Sequence, residues 1–104
     1  MSEEQKTAHT PGPWRVGAAG PNECPTVGTQ SGLMVAMVSH GEDHPTAANA
    51  NLIAAAPDLL ALAHRVCAHA EFQYAAAKSD NEADAATLLL IASRTAIAKA
   101  EGRS

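Results

Sequence analysis

The chain has 104 residues, a formal net charge of −4 and a hydrophobic content of 46%, much of it alanine. Its few lysines and arginines form no stripe, which argues against nucleic-acid binding driven by phosphate contacts. No apolar run approaches the length of a membrane span, and the polar, acidic N-terminus does not read as a signal peptide, so a cytoplasmic protein is expected.

The length suits one domain, read as a flexible tail over 1–10 and a domain over 11–104, with the sheet in 11–40 and the helices in 46–101. Thr10-Pro11-Gly12-Pro13 is a rigid turn that delivers Trp14. Trp14-Arg15-Val16 alternates apolar and polar residues as a first strand does. Trp14 either covers one end of the core or stacks on a ligand. Gly17 to Pro25 is rich in Gly and Pro and reads as a loop or hairpin. Thr26 to Gln30 is a weak strand, and Ser31-Gly32 is a turn pair. Leu33 to Val38 is the best strand by composition; both its faces are apolar, so a central or doubly covered position is expected. Short turns between the three predict an antiparallel meander.

Polar residues 39–45 lead to a first helix for which Thr46 is the expected N-cap. Asn49 and Asn51 sit among alanines. An amide competes with the helix backbone for hydrogen bonds, so a mid-helix asparagine is expected to have a partner: a neighbouring strand or loop, a ligand, or a second subunit. Pro57 lacks an N–H and clashes with the carbonyl four residues back, yet it fits the first turn of a new helix, where Asp58 faces the positive end of the dipole. Two helices meeting at Ala56-Pro57 are expected, with one Pro-kinked helix as the alternative.

The second helix is predicted over Pro57 to Lys78. Leu59, Ala63, Val66, Ala70 and Ala77 form its inner stripe, Leu60, Cys67 and Tyr74 its flank, and Arg65, Glu71 and Lys78 its wet face. A break at Ser79-Asp80-Asn81, with Asp80 or Asn81 as cap, precedes a third helix over Asn81 to Glu101 that ends at Gly102. The last two helices are expected to form an antiparallel hairpin. Leu88-Leu89-Leu90-Ile91 is apolar around the whole helix, more than one neighbouring helix can cover. These four residues are the expected oligomer interface. A chain rich in small side chains buries little area per residue, which also favours a homo-oligomer.

No constellation points to catalysis. His40 and His44 fall in a predicted loop, and His64 and His69 are too far apart around a helix to share a metal. Cys67 has His64 and Glu71 at i−3 and i+4, a trio that helix surfaces produce by chance. Gly17-Ala18-Ala19-Gly20 lacks the spacing and lysine of a phosphate loop. Cys24 and Cys67 are expected to be free thiols. No catalytic residue, metal or cofactor is therefore assigned.

Thr10-Pro11-Gly12-Pro13-Trp14, paired with the segment Asn49-Ala50-Asn51-Leu52-Ile53-Ala54-Ala55-Ala56-Pro57-Asp58-Leu59-Leu60, resembles a motif pair found in small uncharacterised proteins of tailed bacteriophages and prophages. The resemblance implies a phage accessory protein acting in the cytoplasm of the infected host; it carries over no catalytic residue. The resulting expectation is an α+β domain: a small antiparallel sheet of three or four strands, then three helices, assembled as a homo-oligomer. Function is expected to be non-enzymatic interference with a host process by binding, with a host protein as target or, as counter-defence, a small nucleotide held between subunits. Trp14, Asn49, Asn51 and Asp58 are the candidate ligand-binding residues. The alternative is a structural or adaptor module that docks another phage or host protein. No nucleic-acid or membrane partner is expected.

Overall fold

The computed structural model describes residues 9–19, 24–39 and 45–103. Most of the expected N-terminal tail and the His40–His44 pair lie outside these residues. The elements follow in the order β1 (Trp14–Val16), β2 (Thr26–Thr29), β3 (Met34–Met37), α1 (Thr46–Ala54), α2 (Ala56–Ala76) and α3 (Asp80–Ala100). The expected α+β architecture is present: a three-stranded antiparallel sheet followed by three helices, the last two packed against each other. The chain divides into two compact units, Met1–Asp58 and Leu59–Ser104. The first helix therefore belongs with the sheet rather than with the other helices.

In the first unit the strands lie in the order β1-β2-β3. Trp14 pairs with Thr29 and Val16 with Val27 across β1 and β2, and Val27 pairs with Ala36 across β2 and β3. Residues opposite each other in an antiparallel ladder share a face, so Trp14, Val16, Val27 and Ala36 all point to one side. There α1 lies over β1 and β2. Val27, Val38 and Ala50 form the buried centre, with Trp14, Ala36, Ile53 and Ala54 around it.

Two expectations about the sheet need correction. The central strand is β2, the weak one by composition, and β3 is an edge. Val27 has no solvent exposure, whereas Met34 and Met37 of β3 are about half exposed. Apolar character on both faces suggests two covers, but this unit supplies one helix for one face. The register also shifts between Val27 and Gly28. A Cβ built on Gly28 would lie 2.5 Å from the Leu33 carbonyl oxygen, so the close approach of the two chains requires glycine there. Gly32 closes the β2–β3 turn at φ 99°, in the left-handed region, and donates its N–H to the Thr29 carbonyl at 3.0 Å.

Thr46 does not cap α1. The N-cap position is Pro45, and the Thr46 hydroxyl donates to the Ser39 carbonyl at 3.1 Å, fastening the exit from β3 to the start of the helix. Helix α1 ends at Ala54, Ala55 turns, and α2 begins at Ala56. The two-helix reading holds, with Pro57 in the first turn of α2, where a missing N–H costs nothing.

In the second unit α2 and α3 run antiparallel across the short link 77–79. The cap of α3 is Ser79, not Asp80 or Asn81. Its hydroxyl accepts from the Glu82 N–H at 3.2 Å, while the Glu82 carboxylate accepts from the Lys78 N–H at 2.8 Å. This Ser-x-x-Glu arrangement closes the helix start from both sides. At the other end Gly102, at φ 74°, lets its own N–H reach the Lys99 carbonyl and the Arg103 N–H reach the Ala98 carbonyl. The buried residues of the pair are small or few: Ala70 on α2, and Ala86, Leu90, Ser93 and Ile97 on α3. Ser93 satisfies its hydroxyl within its own helix, donating toward the Leu89 and Leu90 carbonyls, so its burial carries no unpaired polar atom.

Candidate functional site

The four residues expected to bind a ligand all belong to the first unit, and the structure does not converge them. Ala50 points into the sheet with 1% exposure, while Asn49 and Asn51 on either side of it are exposed. Residues two apart on a helix are about 200° apart in direction. The two amides therefore leave α1 on opposite flanks. Neither makes a side-chain hydrogen bond among the described residues, so the partner expected for each is not found there. Asp58 is exposed in the first turn of α2. Trp14 is half-buried against the Val27–Val38–Ala50 cluster, its indole N–H donating to the Thr10 carbonyl at 3.1 Å. This is the core-covering reading of Trp14.

The two motif segments do meet, through structure rather than through a cavity. A Cβ built on Gly12 would stand 2.9 Å from Cβ of Pro57. The Thr-Pro-Gly-Pro turn thus lies directly on Pro57, and Trp14, Ile53 and Ala54 all pack against the Val27–Val38–Ala50 cluster. The motif pair is a clasp: a glycine without a side chain receives a proline ring, and Trp14 packs on the buried cluster that contains Ala50 of α1.

The second unit carries two grooves along the α2–α3 seam. One, of about 360 Å³, is lined by Glu71, Tyr74, Thr87, Leu90, Ile91 and Arg94. An exposed ion pair closes it: Arg94 Nη2 stands 3.1 Å from Glu71 Oε2, and the Glu71 carboxylate raises the Arg94 guanidinium pKa above its ordinary value, with Cys67 adding to it. The other groove, of about 390 Å³, is lined by Phe72, Gln73, Ala76, Ala85, Ala86 and Leu89, with Glu82 at its end. The Leu88–Ile91 quartet is divided among these surfaces. Leu90 is buried within the pair, Leu89 borders the alanine-lined groove and Ile91 the ion-paired one, and Leu88 is 70% exposed on the back of α3.

Two members of the Cys67 trio have partners outside it. Glu71 serves Arg94 and lies 4.0 Å from the thiol, while His64 Nε2 faces Glu101 at 3.3 Å. Cys24 and Cys67 are free thiols. No cluster of metal-ligating side chains occurs among the described residues, and none of their helices is long and apolar enough to cross a membrane.

Phe72, Ala76 and Ala85, which shape the alanine-lined groove, were absent from the sequence expectations. Ala85 has a signal in spacing: Ala85, Leu89, Ala92 and Ala96 recur at i, i+4, i+7 and i+11, an apolar stripe on α3. The Glu71–Arg94 pair joins separate helices and has no local signature.

Comparison with curated proteins and with solved structures returns no match. A family model does match, over residues 1–104: it describes Salmonella phage P22 protein Y8K6. With the whole chain covered, and a fold that agrees with the sequence reading, this protein belongs to the Salmonella phage P22 protein Y8K6 family.

Proposed function

We propose that this phage protein acts by binding rather than by catalysis, interfering with a host process through a protein contact made by its helical pair. The observation that carries this reading is the exposure of large apolar side chains along α2 and α3: Leu62, Phe72, Tyr74, Leu88 and Ile91 are each more than half exposed. Phe72 beside the alanine-lined groove, and Tyr74 and Ile91 lining the ion-paired one, leave apolar surface on both grooves of the pair, which favours a protein partner. The sequestering form of the proposal, a small nucleotide held between subunits, draws less support, because Asn49 and Asn51 diverge and Trp14 is committed to the core.

Affinity capture of the full chain from host cytoplasm, followed by native mass spectrometry, tests the proposal. A stoichiometric protein partner released by Leu62→Glu or Leu88→Glu supports it. A thermal shift with cyclic or ADP-ribose-type nucleotides supports the sequestering form instead. Turnover of a host metabolite, with neither kind of binding, overturns both.

A further inference from the structure

Building on the binding role proposed above, we infer that the first partner of the helical pair is a second copy of this chain, docked on the alanine-lined groove to make a four-helix bundle. The groove and its filler lie side by side. Phe72 is 69% exposed at the rim of a trough floored by Ala76, Ala85 and Ala86, so a two-fold pairing sets each copy's phenyl ring over the other's alanines. A two-fold contact needs a surface complementary to itself, and a large ring beside a run of small residues is one.

Size and charge favour the same face. Two helices of 21 residues each, at about 1.5 Å per residue and about 10 Å apart, present a face of roughly 600 Å² in projection. A stable interface buries about 800 Å² per partner once the relief of side chains is included, so the face is of adequate size. Burying the opposite groove would strip water from the Glu71–Arg94 pair, a costly step. On the alanine-lined side the acidic group at the groove is Glu82, already engaged by the Lys78 N–H in the cap of α3. The pair by itself encloses few large side chains, Leu90 and Ile97 among them, and gains the rest of its cover from the second copy.

The test is the solution mass of the full chain by native mass spectrometry and sedimentation, with helix content followed by circular dichroism. The wild type is expected as a dimer. Phe72→Glu is expected to shift it to monomer mass with helix content retained, Phe72→Leu to remain dimeric, and Ile91→Glu, on the opposite groove, to remain dimeric. If Phe72→Glu does not fold, Ala85→Glu on the facing helix supplies the same reading. A monomeric wild type overturns the inference, as does a dimer broken by Ile91→Glu and indifferent to Phe72→Glu and Ala85→Glu. A monomer that still captures a stoichiometric host protein overturns this pairing and leaves the binding role standing.

Discussion

Single positions in the first unit show how little side-chain volume this fold can move. Gly28 sits where β2 and β3 crowd, and an added methyl would meet a backbone oxygen that cannot swing aside. Gly28→Ala is expected to destabilise the chain by about 1–3 kcal/mol through overpacking, measured by urea denaturation. Asn49 stands at the other extreme. Its amide is exposed, with no side-chain hydrogen bond among the described residues, and it lies inside a helix. Asn49→Ala is therefore expected to stabilise by up to about 0.7 kcal/mol through helix propensity. A loss above 1 kcal/mol in the same assay would show that the amide does bind something.

The elements are set by their ends more than by their middles. Helix α3 starts where the Ser79 hydroxyl accepts from the Glu82 N–H and the Glu82 carboxylate accepts from the Lys78 N–H, and it stops at a left-handed glycine. The stop is readable from local sequence, whereas the cap falls on Ser79 rather than on the expected Asp80 or Asn81. Ser79→Ala is expected to cost about 1 kcal/mol and to lower the melting temperature followed by circular dichroism. Helix α1 has a weaker start. Pro45 gives it no side-chain cap, and Thr46 is spent on Ser39. Its stability comes from Ala50, Ile53 and Ala54 lying on the sheet. The burial of Val27 and Val38 against this helix, at about 1.5–3 kcal/mol for each large side chain fully buried, outweighs any propensity term.

At the scale of the whole molecule, pH acts through a surface ion cluster at the end of α3. Arg103, with Nη2 2.7 Å from Glu101 Oε1, holds the Glu101 carboxyl below its ordinary pKa; burial opposes it, and His64 adds a lesser lowering. A carboxylate whose pKa is lowered on folding stabilises the fold above its unfolded pKa. That stabilisation is lost as pH falls through the folded pKa. Glu101→Gln is thus expected to melt below the wild type at neutral pH and level with it in acid, below the ordinary carboxylate range. Thermal denaturation of both chains across that range checks it; an equal gap at every pH would remove the assignment.

The meander, the helical pair, the helix break just before Pro57 and the Gly102 stop were all legible in the sequence, because each depends on neighbours a few residues apart: turn glycines, a proline without its N–H, apolar spacing at 3.6. Tertiary structure alone decided that β2 is central, because what buries Val27 is a helix that follows much later in the chain. It alone brought the Thr-Pro-Gly-Pro-Trp and Asn-to-Leu segments together as a clasp, since Gly12 and Pro57 meet only once the sheet has folded under α1. It likewise divided Leu88 to Ile91 among different surfaces: apolar character around a helix states that cover is needed, and the position of the neighbouring helix states on which side it is already provided.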